Sequence, residues 1–317
     1  MGETVMEIRH RPVMPEEVMT LAAADGLVVD GTTGEGGHSE LFLERFPGCR
    51  LMCLDADAEI QKKAKERLAV WGDRVRFVRG WFDEVFADWQ GERPRVVLLD
   101  LGISVYHFEE SGRGFSFRGD EPLDMRLDGS AGESAAEAVN SWSEAELARV
   151  IWTYGEEPLS RRIARRLVEA RQVERIETAK QLADRIWEAV PPAKRHGRIH
   201  PATKTFQALR IAVNGELDRL ERVLGAAFRV LEPGGRFCVI TFHSLEDRAV
   251  KTFFREVSKA CICGPEIARC QCGGKPLAQD LTRHPVVPGD EEVELNPPSR
   301  SAKLRAIRKL RETRRDA

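Results

Sequence analysis

The apolar residues of this chain fall into two rhythms. Leu27-Val-Val-Asp30, Arg50-Leu-Met-Cys-Leu-Asp55 and Val96-Val-Leu-Leu-Asp100 are short, nearly continuous runs, and each ends in an acid. Runs of this kind suit strands covered on both faces, as in a parallel sheet. Arg74-Val-Arg-Phe-Val-Arg79 alternates instead, and predicts a further strand. Between the runs the apolar spacing changes to three and four. It predicts helices over 16–24, 39–45 and 58–71, the last stopped by Gly72. Strand, helix, strand at these intervals specifies a right-handed doubly wound α/β sheet.

After Asp100 the rhythm breaks. The next convincing strand is Arg236-Phe-Cys-Val-Ile-Thr-Phe242, about 130 residues on, whereas a crossover needs about a dozen. A domain-sized insertion is expected between strands four and five. Within it, 144–154, 159–172 and 179–190 carry helical apolar spacing. A long amphipathic helix over 206–231, striped by Leu209, Val213, Leu217, Leu220 and Leu224, is expected to return the chain to the sheet. The expected division is a discontinuous core, 1–104 with 207–317, and a helical substrate-recognition insertion, 105–206. Beyond the fifth strand, 247–259 reads as a helix and 303–310 as a last strand. Residues 261–300, rich in Gly, Pro and Cys, read as a long ordered loop.

The first strand runs into Asp30-Gly-Thr-Thr-Gly-Glu-Gly-Gly-His38. Glycines let a backbone turn tightly and let a ligand approach main-chain N–H groups. The spacing G-x-x-G-x-G-G is not the dinucleotide fingerprint. An acid at the strand tip suits a ligand with a cationic end, such as S-adenosylmethionine, better than a pyrophosphate. The second acid, Asp55, stands where open parallel sheets place a group that binds the ribose of an adenosine. Together the two acid-tipped strands point to a nucleoside site.

Charge sharpens this picture. The net formal charge is −2, yet residues 161–210 hold 13 Lys or Arg against 5 Asp or Glu, and residues 299–317 hold 8 against 2. Basic surface segregated in this way suits an acidic polymer, although solvated helix faces would give the same count. No apolar run reaches the length of a membrane span, and the N-terminus lacks the apolar region of a signal peptide, so a soluble cytoplasmic protein is expected. Seven cysteines in that setting predict reduced thiols. Four of them, Cys261, Cys263, Cys270 and Cys272, are spaced C-x-C-x6-C-x-C, and either close a structural zinc site or remain free thiols in a loop.

Several longer motifs follow one another in order: the glycine loop, Asp100-Leu-Gly-Ile-Ser104, Arg113-Gly-Phe-Ser-Phe117, Pro122-Leu-Asp-Met-Arg126, His200-Pro-Ala-Thr-Lys-Thr-Phe-Gln-Ala-Leu-Arg210, Phe242-His-Ser-Leu-Glu-Asp247 and Ser299-Arg-Ser-Ala-Lys-Leu-Arg305. Over nearly its whole length the chain resembles the bacterial 16S rRNA cytosine-N4 methyltransferase family. The resemblance implies a Rossmann-like class I S-adenosylmethionine methyltransferase core with an inserted α-helical domain. It implies methylation of the exocyclic amine of one cytidine in 16S rRNA, within the small ribosomal subunit or a late assembly intermediate, by a monomer or homodimer. Cofactor contacts carry over to Gly36, Gly37, His38, Asp55, Phe82 and Asp100, beside Asp30 and Gly34 from the loop itself. His107 stands where the family usually has a glutamine.

A cytosine amine is conjugated with its ring and is a poor nucleophile. Acceptors for its protons and an in-line methyl donor make attack feasible. Asp100, Ser104 and the backbone carbonyls of 101–103 occupy the position of the Pro-Pro-aromatic motif common in other amino methyltransferases, which this chain lacks. That absence weakens the closest rival reading, a DNA amino-methyltransferase. Asp100 either accepts from the amine or holds the methionine ammonium. His243 is expected to orient the cytosine, and Phe115 and Phe117 either stack on a flipped base or pack internally. Arg113 and Arg126 bind phosphate or pair with nearby acids. Arg195, Arg198 and Lys204 are the expected phosphate contacts of the insertion.

Overall fold

The acid-tipped runs are strands of one sheet. The computed structural model describes residues 11–23, 25–197, 199–264 and 266–313. In chain order the first half comprises α1 (Pro15–Ala22), β1 (Gly26–Asp30), α2 (Gly37–Arg45), β2 (Cys49–Asp55), α3 (Ala58–Leu68), β3 (Val75–Arg79), α4 (Phe82–Ala87), β4 (Val96–Asp100), α5 (Val105–Glu109) and α6 (Ala135–Ser141). There follow α7 (Glu144–Gly155), α8 (Ser160–Val173), α9 (Ala179–Ala189), α10 (Thr203–Asn214), α11 (Glu216–Val230), β5 (Arg236–Thr241), α12 (Ser244–Ser258), β6 (Ala278–Asp280), α13 (Asp290–Leu295) and β7 (Lys303–Lys309).

The sheet order is β3-β2-β1-β4-β5-β7-β6. Strands β1 to β5 are parallel, β7 runs antiparallel to β5, and β6 antiparallel to β7. The fold is Rossmann-like. Parallel pairing puts all carboxyl ends at one edge, so Asp30, Asp55 and Asp100 lie there together, opposite Cys53, Arg79 and Ile240 in register. The chain moves outward from β1 through β2 and β3, then returns to the other side of β1 as β4. That reversal is where open α/β sheets form a ligand crevice.

The chain divides into two compact units, Met1–Gly102 with Arg219–Ala317, and Ile103–Asp218. In the first, Val28, Leu51, Leu98, Ile240 and Leu304 from five strands share one core with Met14, Val18 and Phe42. In the second, Ile151, Ile163, Leu167, Leu182, Ile186 and Leu209 form a helical core. Its helices start where hydroxyl caps stand: Ser134 and Thr178 form capping boxes with Glu137 and Gln181, and Ser143 caps α7.

Four expectations differ from the structure. The single helix over 206–231 is two helices, because Gly215 takes a left-handed φ of +60° and caps α10 before α11 begins. The helix over 58–71 ends at Leu68 and continues as a 3-10 stretch to Arg74, broken at Gly72. The 261–300 segment also contains β6 and α13. The expected boundary at 206 lies inside α10, whose buried face packs with α6 and α7. Among the described residues no helix is long and apolar enough to cross a membrane.

Candidate active site

The loop after β1 is built by close approach. A Cβ on Gly31 would stand 2.5 Å from Cδ2 of the buried Leu99 and 3.8 Å from Phe82 Cβ, so a larger residue here would force the Leu99 side chain to shift, and Phe82 stands beside the loop. Gly36, at φ +83°, caps α2, whose first residues Gly37 and His38 follow directly. Thr33 N–H donates to Leu54 O, and Gly34 N–H donates to Asp55 Oδ2 at 2.8 Å. Asp57 N–H donates to the other oxygen of Asp55 at 2.9 Å. The loop is thereby fastened to the tip of β2.

The three strand-end acids differ in environment. Asp30 is 1% exposed. Its Oδ2 accepts from Ser39 Oγ at 2.7 Å and its Oδ1 from Thr32 N–H at 3.3 Å, and burial raises its pKa. Both of its oxygens hold the loop from beneath. Burial also pushes Asp55 up to about 7, against the lowering effect of its two backbone donors. Asp100 is held by its own N–H, which donates to Thr32 Oγ1 at 2.6 Å.

His38 Nε2 lies 3.6 Å from Asp100 Oδ2, beyond hydrogen-bond length. Both ring nitrogens of His38 and Asp100 Oδ1 are buried without a hydrogen-bond partner among the described residues. Buried polar atoms are nearly always paired, so three such atoms on two adjacent side chains mark a place prepared for polar ligand groups.

His243 is engaged differently. It caps α12: Nδ1 accepts from Glu246 N–H at 3.4 Å, and Glu246 Oε2 accepts from the N–H groups of Phe242 and His243. Its Nε2 stands 3.1 Å from Glu246 Oε1, a short ion-pair distance that nonetheless fails hydrogen-bond geometry. The side chain expected to orient a base thus closes a helix N-terminus. In the second unit Ser104 and His107 form the capping box of α5, and the buried His107 ring meets Phe115 edge-on with centroids 5.3 Å apart. Phe115 belongs to the helical core, and Phe117 stacks on His200 at 4.5 Å. Phe115 is buried, and Phe117 is partly buried against the same core.

The basic residues singled out from sequence are also largely committed. Arg126 forms a two-pronged pair with Asp124, and Arg113 Nη1 donates to the carbonyls of Arg126 and Leu127. Arg195 donates to Val190 O at 2.8 Å, just past the end of α9, and Lys204 to Glu156 O at 3.0 Å, just past the end of α7. Cations are favoured at helix carboxyl ends, which accounts for both. Arg198 lies outside the described residues. Arg161 and Arg162, by contrast, are exposed on α8.

The sequence matches the MraW methylase family over residues 7–310. The chain belongs to that family. It is 55% identical over 310 residues to the ribosomal RNA small subunit methyltransferase H of Treponema denticola, covering 96% of this chain and 98% of that one. With the protein of the same name from Geobacter sulfurreducens it shares 50% over 311 residues, 96% and 100% of the two chains. Among solved structures, an rRNA methylase from Streptococcus thermophilus is similar at 11% identity and a TM-score of 0.38, over 93% of each chain. As an MraW methylase the protein is a methyltransferase, built on a Rossmann-like sheet. Sequence reasoning overlooked Thr32 and Ser39, the partners of Asp100 and Asp30. Their only signal was a hydroxyl at each end of the glycine loop. The structure also gathers Cys261, Cys263, Cys270 and Cys272 in the α12–β6 connection.

Proposed function

We propose that this MraW methylase transfers a methyl group from S-adenosylmethionine to the N4 amine of a cytidine in 16S rRNA of the small ribosomal subunit, in the cytoplasm. The observation that carries the reading is the pair His38 and Asp100, whose buried polar atoms lack partners among the described residues at the carboxyl edge of the sheet beside a fastened glycine loop. The relatives' names support an rRNA substrate.

Asp55 would accept hydrogen bonds from the two ribose hydroxyls, each carboxylate oxygen having a second lone pair beyond its backbone donor. Gly34 to Gly37 would let the cofactor lie against main chain, and Phe82 would flank the adenine. When bound, S-adenosylmethionine supplies an activated methyl on its sulfonium. Asp100, with Oδ1 unclaimed by donors among the described residues, would accept an N–H of the cytosine amine, drawing electron density toward the nitrogen and taking up the proton released on transfer. His38 would stay beside Asp100 as a second polar partner.

The test is incubation with methyl-labelled S-adenosylmethionine and undermethylated small subunits, followed by mass spectrometry of nuclease digests. One N4-methylated cytidine in 16S rRNA is expected. Label at another atom, or on DNA in preference, would refute the proposal.

A further inference from the structure

Among its described residues the connection from α12 to β6 has no helix or strand, and none of their side chains from Lys259 to Leu277 is buried. Its two ends are pinned together where Leu277 N–H donates to Val257 O at 2.9 Å. A closed loop of this length without an apolar core of its own needs another source of order.

The cysteines supply one. Cys261 Sγ lies 3.6 Å from Cys270 Sγ and 3.7 Å from Cys272 Sγ, and Cys270 and Cys272 are 3.5 Å apart. All four sulfurs, Cys263 included, lie within 4.8 Å of one another. With a Zn–S bond of about 2.3 Å, the edge of a sulfur tetrahedron around zinc is about 3.8 Å, close to these separations. A disulfide would need about 2.05 Å between two sulfurs and would leave the other pair unexplained.

Backbone donors complete the cluster. Ile262, between the first two cysteines, donates its N–H to Cys272 Sγ at 3.5 Å. Gln271, between the last two, donates to Cys263 Sγ at 3.3 Å. Each C-x-C segment therefore directs its middle N–H at a sulfur of the other segment. Such donors orient metal-bound thiolates and offset their charge.

We propose that Cys261, Cys263, Cys270 and Cys272 bind one structural zinc ion that fastens this connection. Four sulfur ligands select a soft or borderline metal over magnesium or calcium, and a closed set of four leaves no position for substrate. The ion's role is to order the loop, and it takes no part in methyl transfer.

Metal content tests this independently of activity. Full-length protein purified under reducing conditions without chelators should contain about one zinc per chain, and a mercurial reagent should release it as the thiols react. The C270S/C272S double variant should lose the metal. Should that variant fail to fold, cobalt(II) reconstitution of the unaltered chain decides, because tetrahedral thiolate ligation gives intense visible bands and a sulfur-to-cobalt band in the near ultraviolet. Zinc below about a tenth of an equivalent, together with no tetrahedral cobalt spectrum, would overturn the proposal. So would full zinc retention by a folded double variant.

Discussion

Burial pushes the Asp55 carboxyl up to about 7, so near neutral pH it is divided between acid and carboxylate. Ribose hydroxyls donate to the carboxylate and favour it, which lowers the pKa in the complex. Cofactor affinity should therefore rise as pH increases toward 7 and level off above it, with protons released on binding below 7. Calorimetry in buffers of different ionisation enthalpy would show that release. Asp55→Ala should weaken binding by roughly 1.5–3 kcal/mol, about ten- to a hundredfold, in a chain whose circular dichroism still reports a folded protein. Unchanged affinity would remove Asp55 from the site. Asp100 separates two roles. If it accepts from the amine, Asp100→Asn should slow single-turnover methyl transfer at saturating cofactor by about 10²-fold or more. A loss confined to cofactor affinity would instead assign Asp100 to the methionine ammonium.

Among the elements, α12 and the α10–α11 pair are the most instructive. His243 caps α12 through Nδ1, so His243→Ala should cost about 0.5–2 kcal/mol in chemical denaturation. A variant of wild-type stability that has lost activity would show that His243 meets substrate instead. Gly215 divides one predicted helix into two, and a Cβ there would meet nothing within 4 Å. Gly215→Ala therefore isolates the left-handed backbone cost, about 1 kcal/mol, and Gly215→Asn should cost less. The apolar stripe over 206–231 hid this break because Leu209 and Val213 lie before the turn and Leu220 and Leu224 after it. Hydrophobic spacing reports which face is buried and is blind to a single left-handed residue. The central strands β1 and β4 were easier to read, since burial on both faces leaves almost no polar position inside them, whereas the short, mostly exposed β6 carries no such run.

Across the whole molecule, charge decides where an acidic polymer would bind. Arg195 and Lys204 are tied to carbonyls past helix ends, whereas Arg161 and Arg162 face solvent. Replacing the exposed pair by glutamine should raise KM for small-subunit RNA and lower the salt slope of binding by about 1.4–1.8, while cofactor affinity stays the same. An unchanged slope in filter-binding titrations would clear α8 of RNA contact and direct attention to the basic carboxyl-terminal segment. Equivalent changes at Arg195 and Lys204 should appear first as lost stability, because each removes a donor from a helix terminus.

Local pattern by itself determined strands β1 to β5 and β7, the acidic tips of β1, β2 and β4, the glycine loop and the presence of a large helical insertion. Each of these is written in consecutive residues, where strand or helix periodicity and backbone freedom act directly. Tertiary structure alone decided what the polar groups do. Asp30 and Asp55 are both strand-end acids with one donor on each oxygen, yet Asp30 is buried under the loop with Ser39 and Thr32, while Asp55, held by Gly34 and Asp57, stays partly exposed. Asp100 and His38 are far apart in sequence and meet only because β1 and β4 are neighbours. Whether an arginine binds a helix end or faces solvent likewise depends on carbonyls supplied by other segments. A hydrogen bond is short and directional, so its partner is chosen by packing, whereas apolar burial needs only the right face.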